Sequence, residues 1–171
     1  MSGVAQNSLT AKPLDVRWIH GSPSSKHNTD PDLQTYWYDD DTVILRQNKA
    51  IDYEAPFLFL LFGQQRAVLL DTGATASPDV FPLRRVVDEL IECWLARHPR
   101  DDYQLLVLHT HAHGDHVAAD QQFADRADTV LVRADKDDAW TFFGFCEDAD
   151  AVTLLGEETF GFGGPTPSIT D

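Results

Sequence analysis

A concentration of histidine marks residues 109–116, which read HTHAHGDH. Four of the seven histidines of the chain lie in this stretch, and no histidine follows His116. Imidazole nitrogens and carboxylate oxygens are the ligands expected for Zn²⁺ and related ions. Packing does not call for so many histidines behind an apolar strand, and close imidazoles would repel one another once protonated unless a cation removed that cost. The stretch therefore predicts a metal site.

Two positions for metal ions follow from the spacing. His111 and His113 are two residues apart, so both imidazoles point to the same side if the preceding strand continues through them. Gly114 then lets the chain turn sharply. Asp115 and His116 follow at the start of a predicted helix, where they can reach a second position. Two ions about 3.5–4 Å apart are a known device for hydrolysis.

Two further residues are candidates for supporting the ligands. His109 shares the alternation of the two histidines that follow it but lies one step deeper in the strand, so we expect support of a ligand or burial rather than metal binding. Asp71 belongs to the stretch LLDTGA at 69–74. It either supports a ligand by hydrogen bonding or simply forms a turn after a strand, and the sequence leaves both interpretations open.

Apolar patterning predicts the elements that position these residues. Continuous apolar runs favour strands buried on both faces, with a two-residue hairpin link at 64–65. Helical spacing after a proline predicts an amphipathic helix. The predicted elements are strands at 16–21, 42–47, 56–63, 66–73, 103–109 and 128–134, a loop at 22–32, helices at 82–97, 116–126 and 135–143, and one or two short strands within 151–171. This order predicts an α/β layered fold, with the metal site past the carboxyl end of a parallel strand.

The composition restricts the class of protein. The 171 residues fit one domain, which we expect to span 16–171 behind a loose arm at 1–15. The net charge of −15 disfavours nucleic acid and anionic membranes as partners, because both require lysine and arginine. No apolar run resembles a secretory signal or approaches the roughly 20 residues of a membrane span. With only two cysteines, we expect a cytoplasmic protein in which Cys93 is a buried free thiol.

Several motifs resemble those of the metallo-β-lactamase-fold hydrolases. THAHGDH at 110–116 is similar to the Thr-His-x-His-x-Asp-His motif of that superfamily, and LLDTGA at 69–74 resembles its earlier Asp-Thr-Gly turn. DTVLVRADKDDA at 128–139 and GEETFGFGG at 156–164 resemble elements that follow the metal motif. The resemblance covers about residues 40–165. It implies an αββα layered sandwich, of which this chain carries the N-terminal half and the start of the second half.

The resemblance also implies roles for the matching residues. His111 and His113 would bind a first zinc ion, and Asp115 and His116 a second. Asp115 would also orient the metal-bound hydroxide that attacks an ester, thioester, amide or phosphodiester of a small-molecule substrate. Relatives with two iron ions carry a glutamate at the position of His113, so zinc is favoured over iron or manganese.

The downstream part of the family pattern is missing from the sequence. Members carry a third histidine in a Gly-His turn, then a bridging aspartate or cysteine and a final histidine, whereas no histidine follows His116 here. Val117, Ala118 and Ala119 stand where a glycine is usual. We expect an N-terminal portion of the fold, with an exposed half-sheet through which copies could associate. The alternative to a hydrolase is a truncated, non-catalytic half-fold that binds metal weakly.

Overall fold

The computed structural model describes residues 14–19 and 25–144. The first of two compact units ends at Asp135, and the second begins at Lys136. In the described part of the first unit the elements are strands β1 Leu33–Trp37, β2 Thr42–Gln47, β3 Phe57–Phe62, β4 Arg66–Leu70, β5 Gln104–Leu108 and β6 Thr129–Leu131, helices α1 Leu83–Leu95 and α2 Gly114–Val117, and 3₁₀ turns Ser25–His27 and Asp120–Gln122. The second unit contributes helix α3 Lys136–Phe143.

The six strands form one sheet in chain order, β1-β2-β3-β4-β5-β6. The pairs from β1 to β4 are antiparallel, whereas β4-β5 and β5-β6 are parallel. The predicted hairpin between β3 and β4 is confirmed, and the Gly63 amide closes it by donating to the Arg66 carbonyl at 2.9 Å. The predicted α/β character is likewise confirmed, because the sheet turns parallel where helices begin to alternate with strands.

Helix α1 covers one face of the sheet. Its apolar residues recur at helical spacing, and the buried ones are Leu83, Val87, Leu90, Ile91 and Trp94. They join the core residues Leu60, Leu69 and Val107, which stand side by side on β3, β4 and β5. Burying each such side chain stabilises the fold by roughly 1.5–3 kcal/mol. The predicted helix at 82–97 is therefore confirmed, with ends at residues 83 and 95.

The opposite face of the sheet is only partly covered, so the prediction of strands buried on both faces is wrong for β3. Phe57 and Phe59 are 36% and 38% exposed, and they alternate with the fully buried Leu58 and Leu60. The run FLFLLF hides this alternation because both faces carry apolar residues. Trp18 packs edge-on against Phe57, with ring centroids 5.0 Å apart.

The N-terminal strand prediction is also wrong in the described residues. Residues 16–19 have no regular structure, whereas the first described strand is Leu33–Trp37, for which the sequence pattern predicts no element. The reason is a side chain: Gln34 accepts a hydrogen bond from the Ile19 amide at 2.7 Å and donates to the Arg17 carbonyl at 3.1 Å. Hydrogen bonds to the Gln34 side chain thus take the place of backbone pairing with a neighbouring strand at Arg17 and Ile19.

The helix predicted at 116–126 is reduced to the single turn of α2 and a 3₁₀ turn. In a continuing α-helix the His116 carbonyl would accept from residue 120. Here it accepts from the Thr72 amide at 2.7 Å, while the Ala118 amide donates to the Gly73 carbonyl at 3.0 Å. Contacts with the loop after β4 therefore end the helix.

Cys93 is exposed, which corrects the expected buried thiol. It precedes Trp94 by one residue and so falls outside the buried stripe of α1. The second cysteine, the motif at 156–164 and the strands predicted within 151–171 lie outside the described residues, as do residues 1–13 of the predicted arm. The division into an arm at 1–15 and a domain at 16–171 stays a prediction. Among the described helices, none is long and apolar enough to cross a membrane.

Stacked aromatic rings pack at the end of the sheet opposite the histidine-rich stretch. The Trp94 ring stacks on Phe62 at 5.2 Å and on Tyr103 at 5.3 Å between centroids. The Tyr103 hydroxyl donates to the Gly63 carbonyl at 2.9 Å. Burial, the largest cause, raises the pKa of Tyr103 to about 12.

We expect Tyr103→Phe to lower the free energy of unfolding by about 1 kcal/mol at neutral pH, because one hydrogen bond is lost. The pKa of Tyr103 is higher in the folded chain than in the unfolded chain, where it is about 10. Its contribution is therefore complete below pH 10 and is lost as the pH rises towards 12. Urea unfolding should show a smaller difference in the free energy of unfolding between wild type and variant at pH 10.5 than at pH 8. A difference that increases with pH would contradict this account.

Candidate metal centre

The carboxyl ends of two parallel strands define the site. β4 and β5 run side by side with Leu70 opposite Leu108, so the segments that follow them leave the sheet at the same edge. The Asp71 amide extends the ladder by donating to the Leu108 carbonyl at 2.8 Å. As a result, the turn after β4 faces the histidine-rich stretch after β5.

The predicted ligand side chains converge at this edge. The ring centroids of His111 and His113 are 4.5 Å apart, and those of His111 and His116 are 4.0 Å apart. Ligand atoms of His111, His113 and Asp115 all lie within 4.8 Å of one another. His116 Nε2 lies 3.0 Å from Asp115 Oδ2. The predicted approach of the imidazoles is thus present in the structure.

The chemistry of these side chains suits metal coordination. Ligands bonded at 2.0–2.1 Å to a tetrahedral ion lie roughly 3.3 Å from each other, so small side-chain movements would bring atoms that lie within 4.8 Å into range. A set of imidazole nitrogens and one carboxylate fits zinc and related divalent ions. His111 and His113 are exposed and Asp115 and His116 half-buried, so the group is accessible from solvent. The residues present therefore fit a metal ion.

Asp71 supports the predicted ligands from the buried side of the site. Its carboxyl group is buried, with the residue only 3% exposed. It accepts hydrogen bonds from the Thr110 amide at 2.8 Å and the Thr110 hydroxyl at 2.9 Å. Asp71 Oδ2 also lies 2.8 Å from His116 Nδ1. A His116 ring that donates its Nδ1 proton to this carboxylate presents the Nε2 lone pair to a metal.

Thr110 connects the carboxylate to a second histidine. Its hydroxyl donates to Asp71, so its lone pairs remain to accept, and His111 Nδ1 lies 3.1 Å away. Donation from His111 Nδ1 would leave His111 Nε2 as the ligand atom. The threonine of the motif therefore has a role that the sequence reading did not assign.

His109 lies beneath α2 with its side chain fully buried. Its Nδ1 lies 3.2 Å from the His116 carbonyl, and its Nε2 lies 3.3 Å from Asp120 Oδ1 without forming a regular hydrogen bond. Burial alone lowers the pKa of His109, but Asp120, the His116 carbonyl and Asp71 together outweigh it and raise that pKa. His109 is not in the group whose atoms converge, and it contacts the backbone of a predicted ligand instead.

Thr72 and Asp120 complete the support, and the sequence reading missed both. Thr72 is fully buried. Its amide donates to the His116 carbonyl at 2.7 Å, and its hydroxyl donates to Asp120 Oδ1 at 2.7 Å. A threonine within a turn is too common to single out, and Asp120 falls in a stretch predicted to be plain helix.

Gly73 and Gly114 differ in whether their backbone conformation and surroundings require a glycine. Gly73 has φ +81°, and an added Cβ would lie 2.8 Å from both Gln47 Oε1 and Phe81 Cε1. Gly114, which the sequence predicts to permit a sharp turn, is not among the described glycines with positive φ, and an added Cβ would meet nothing within 4 Å. The structure therefore does not require glycine at 114, because α2 begins there in ordinary helical geometry.

A model of the metallo-beta-lactamase superfamily matches residues 54–166, which is more than half of the chain and includes the whole histidine-rich stretch. The chain belongs to the metallo-beta-lactamase superfamily. The mixed six-stranded sheet with its helices is consistent with the α/β fold of this superfamily and covers part of that fold.

The chain is similar to the solved structure of TMB-1. The alignment with the solved structure of TMB-1 has 12% sequence identity and a TM-score of 0.40, and covers 67% of this chain and 49% of TMB-1. The chain thus spans about half the length of that protein. No curated protein sequence matches the chain.

We expect Asp71→Asn to weaken metal binding by about 10–100-fold with little change in fold. Asparagine accepts the left-handed conformation of Asp71, which has φ +66°, so the backbone is not strained. Its amide group would present a donor to His116 Nδ1, which favours the ring tautomer with the proton on Nε2 and blocks that ligand atom. Cobalt(II) titration and ¹⁵N NMR of the ring measure both effects. An unchanged affinity would contradict the role of Asp71.

We expect opposite results from two glycine substitutions in the same site. Gly73→Ala should lower the free energy of unfolding by about 2 kcal/mol or more, because of the left-handed backbone and the close contacts. Gly114→Ala should change it by less than about 0.5 kcal/mol. Thermal and urea unfolding of the two variants measure this difference. Equal destabilisation would show that the space above Gly114 is not open.

Proposed function

We propose that the chain carries part of the active site of a metal-dependent hydrolase. The observation that carries the proposal is the convergence of His111, His113 and Asp115, whose ligand atoms lie within 4.8 Å of one another in a member of the metallo-beta-lactamase superfamily. A second observation supports it: the buried Asp71 carboxylate lies 2.8 Å from His116 Nδ1 and so orients that ring towards Asp115. Exposed polar residues gathered only by chance would not have such buried support.

The ligands divide between two positions in this proposal. His111 and His113 hold a first ion, and Asp115 and His116 a second. The close approach of Asp115 Oδ2 and His116 Nε2, at 3.0 Å, supports a shared position for this pair. Zinc is the proposed metal, because imidazole-rich sets of this kind suit it and no glutamate replaces His113. Iron and manganese are the less favoured alternatives.

Bound divalent ions would lower the pKa of a water molecule and polarise the bond to be broken. In this proposal, residues of the chain orient the attacking water and the metal ligands. Asp115 would accept a hydrogen bond from the attacking water and receive its proton. Asp71 and Thr110 hold the rings of His116 and His111, so the ligands do not need to reorganise when substrate binds.

The substrate proposed is a small molecule with an ester, thioester, amide or phosphodiester bond. The net charge of −15 disfavours nucleic acid and membrane partners by repulsion. Exposed Phe57 and Phe59 support self-association through the open face of the sheet, although the same charge opposes it. The cytoplasmic location stays a prediction.

His111→Ala and Asp115→Ala test the proposal, with His27→Ala as the matched control. His27 is an exposed histidine of the 3₁₀ turn at 25–27 and is not part of the converging group. We expect each site variant to weaken cobalt(II) and zinc binding at least 10-fold, and to lower turnover of ester and thioester probes by about 10²–10⁴-fold in a protein that carries the whole site. The control should match wild type in both.

Metal content after gel filtration separates the hydrolase from its alternative. Two tightly held zinc ions per chain with turnover would support a dinuclear hydrolase. Weak, substoichiometric zinc without turnover would favour the non-catalytic half-fold. Turnover that survives in both site variants would contradict the roles proposed for these residues.

A further inference from the structure

A buried amide side chain lies behind the loop that supports His116. Gln47 is the last residue of β2 and is fully buried. Its Oε1 accepts a hydrogen bond from the Ala74 amide at 2.9 Å, and its Nε2 donates to the Thr75 hydroxyl at 2.8 Å. A buried amide is tolerated when both ends are hydrogen-bonded, and here both ends bond to the same short loop.

That loop is also bonded to α2 on its other side. The Thr72 amide donates to the His116 carbonyl at 2.7 Å, and the Gly73 carbonyl accepts from the Ala118 amide at 3.0 Å. The loop therefore lies between Gln47 and the turn that carries His116. Hydrogen bonds thus connect Gln47 to α2 through this loop.

We propose that Gln47 is a positioning residue that holds residues 73–75 against the end of β2 and thereby sets the orientation of His116. The inference rests on the proposed function, in which His116 is a metal ligand. Gln47 does not touch the converging ligand atoms and acts through the loop. A glutamine at the end of a strand belongs to no motif, so the sequence alone does not single out Gln47.

Close packing makes this support rigid. An added Cβ at Gly73 would lie 2.8 Å from Gln47 Oε1 and 2.8 Å from Phe81 Cε1, so the loop backbone already touches both side chains. Phe81 is itself fully buried in the core. The loop cannot move towards the sheet, and its hydrogen bonds to Gln47 keep it from moving away.

Asn48 provides a matched control. It is the neighbouring residue, an equally buried amide, but it bonds in another direction. It donates to the Pro31 carbonyl at 2.8 Å and accepts from the Ala50 amide at 2.8 Å. Removing either amide group should destabilise the fold, but only Gln47 bonds to the loop that meets α2.

The experiment compares Gln47→Met and Asn48→Ala in the 171-residue chain. Hydrogen exchange of the Thr72, Ala74 and Ala118 amides is measured without metal, relative to the core amide of Val107. The ¹⁵N signals of the His116 ring are recorded in the same samples. Cobalt(II) affinity is then measured by titration. Thr75→Ala, which removes one of the two side-chain bonds, serves as a milder variant if Gln47→Met does not fold.

We expect Gln47→Met to accelerate exchange at the three loop and α2 amides, to shift the His116 ring signals and to weaken cobalt(II) binding about 10-fold. Thr75→Ala should give a smaller change of the same kind, and Asn48→Ala none beyond global destabilisation. Equal effects of Gln47→Met and Asn48→Ala would overturn the proposal, as would faster exchange with unchanged His116 signals. If wild type binds no cobalt, the proposed function fails, and the His116 signals alone decide the role of Gln47.

Discussion

The hydrogen bonds of one buried carboxylate hold the candidate site together. Asp71 lies at the end of β4 in a left-handed conformation, with φ +66°, and this conformation turns its side chain towards the segment that follows β5. There it meets both Thr110 and His116. Because two loops from adjacent parallel strands share this acceptor, neither loop can move without breaking a charge-assisted hydrogen bond in a buried place.

The rest of the described first unit serves to place that carboxylate. The parallel pairing of β4 and β5 brings the two strand ends to one edge of the sheet. Helix α1 packs on one face of the same strands. The bonds from Thr72 and Gly73 then end the helix after one turn and hold the His116 carbonyl and the Ala118 amide against the loop after β4. His116 Nε2 lies 3.0 Å from Asp115 Oδ2.

Local patterns predicted much of this arrangement. The helical spacing of α1, the hairpin at Gly63 and the approach of His111 and His113 all depend on neighbours in sequence, so periodicity and spacing reveal them. The exposed Phe57, the short α2 and the bonds of Gln34 depend on contacts between distant segments. Thr72 and Asp120 were missed for the same reason, because single polar residues show their purpose only when the fold brings their partners near.

The four-residue length of α2 has a thermodynamic consequence. A single helical turn is not stable by itself, since forming the first turn costs more than its few hydrogen bonds return. Its order is therefore supplied by the loop after β4. A cation bound by residues of α2 would favour the ordered state over open forms of this segment, so ligation and local folding would be coupled equilibria. Metal would then act as a structural component of this edge of the sheet.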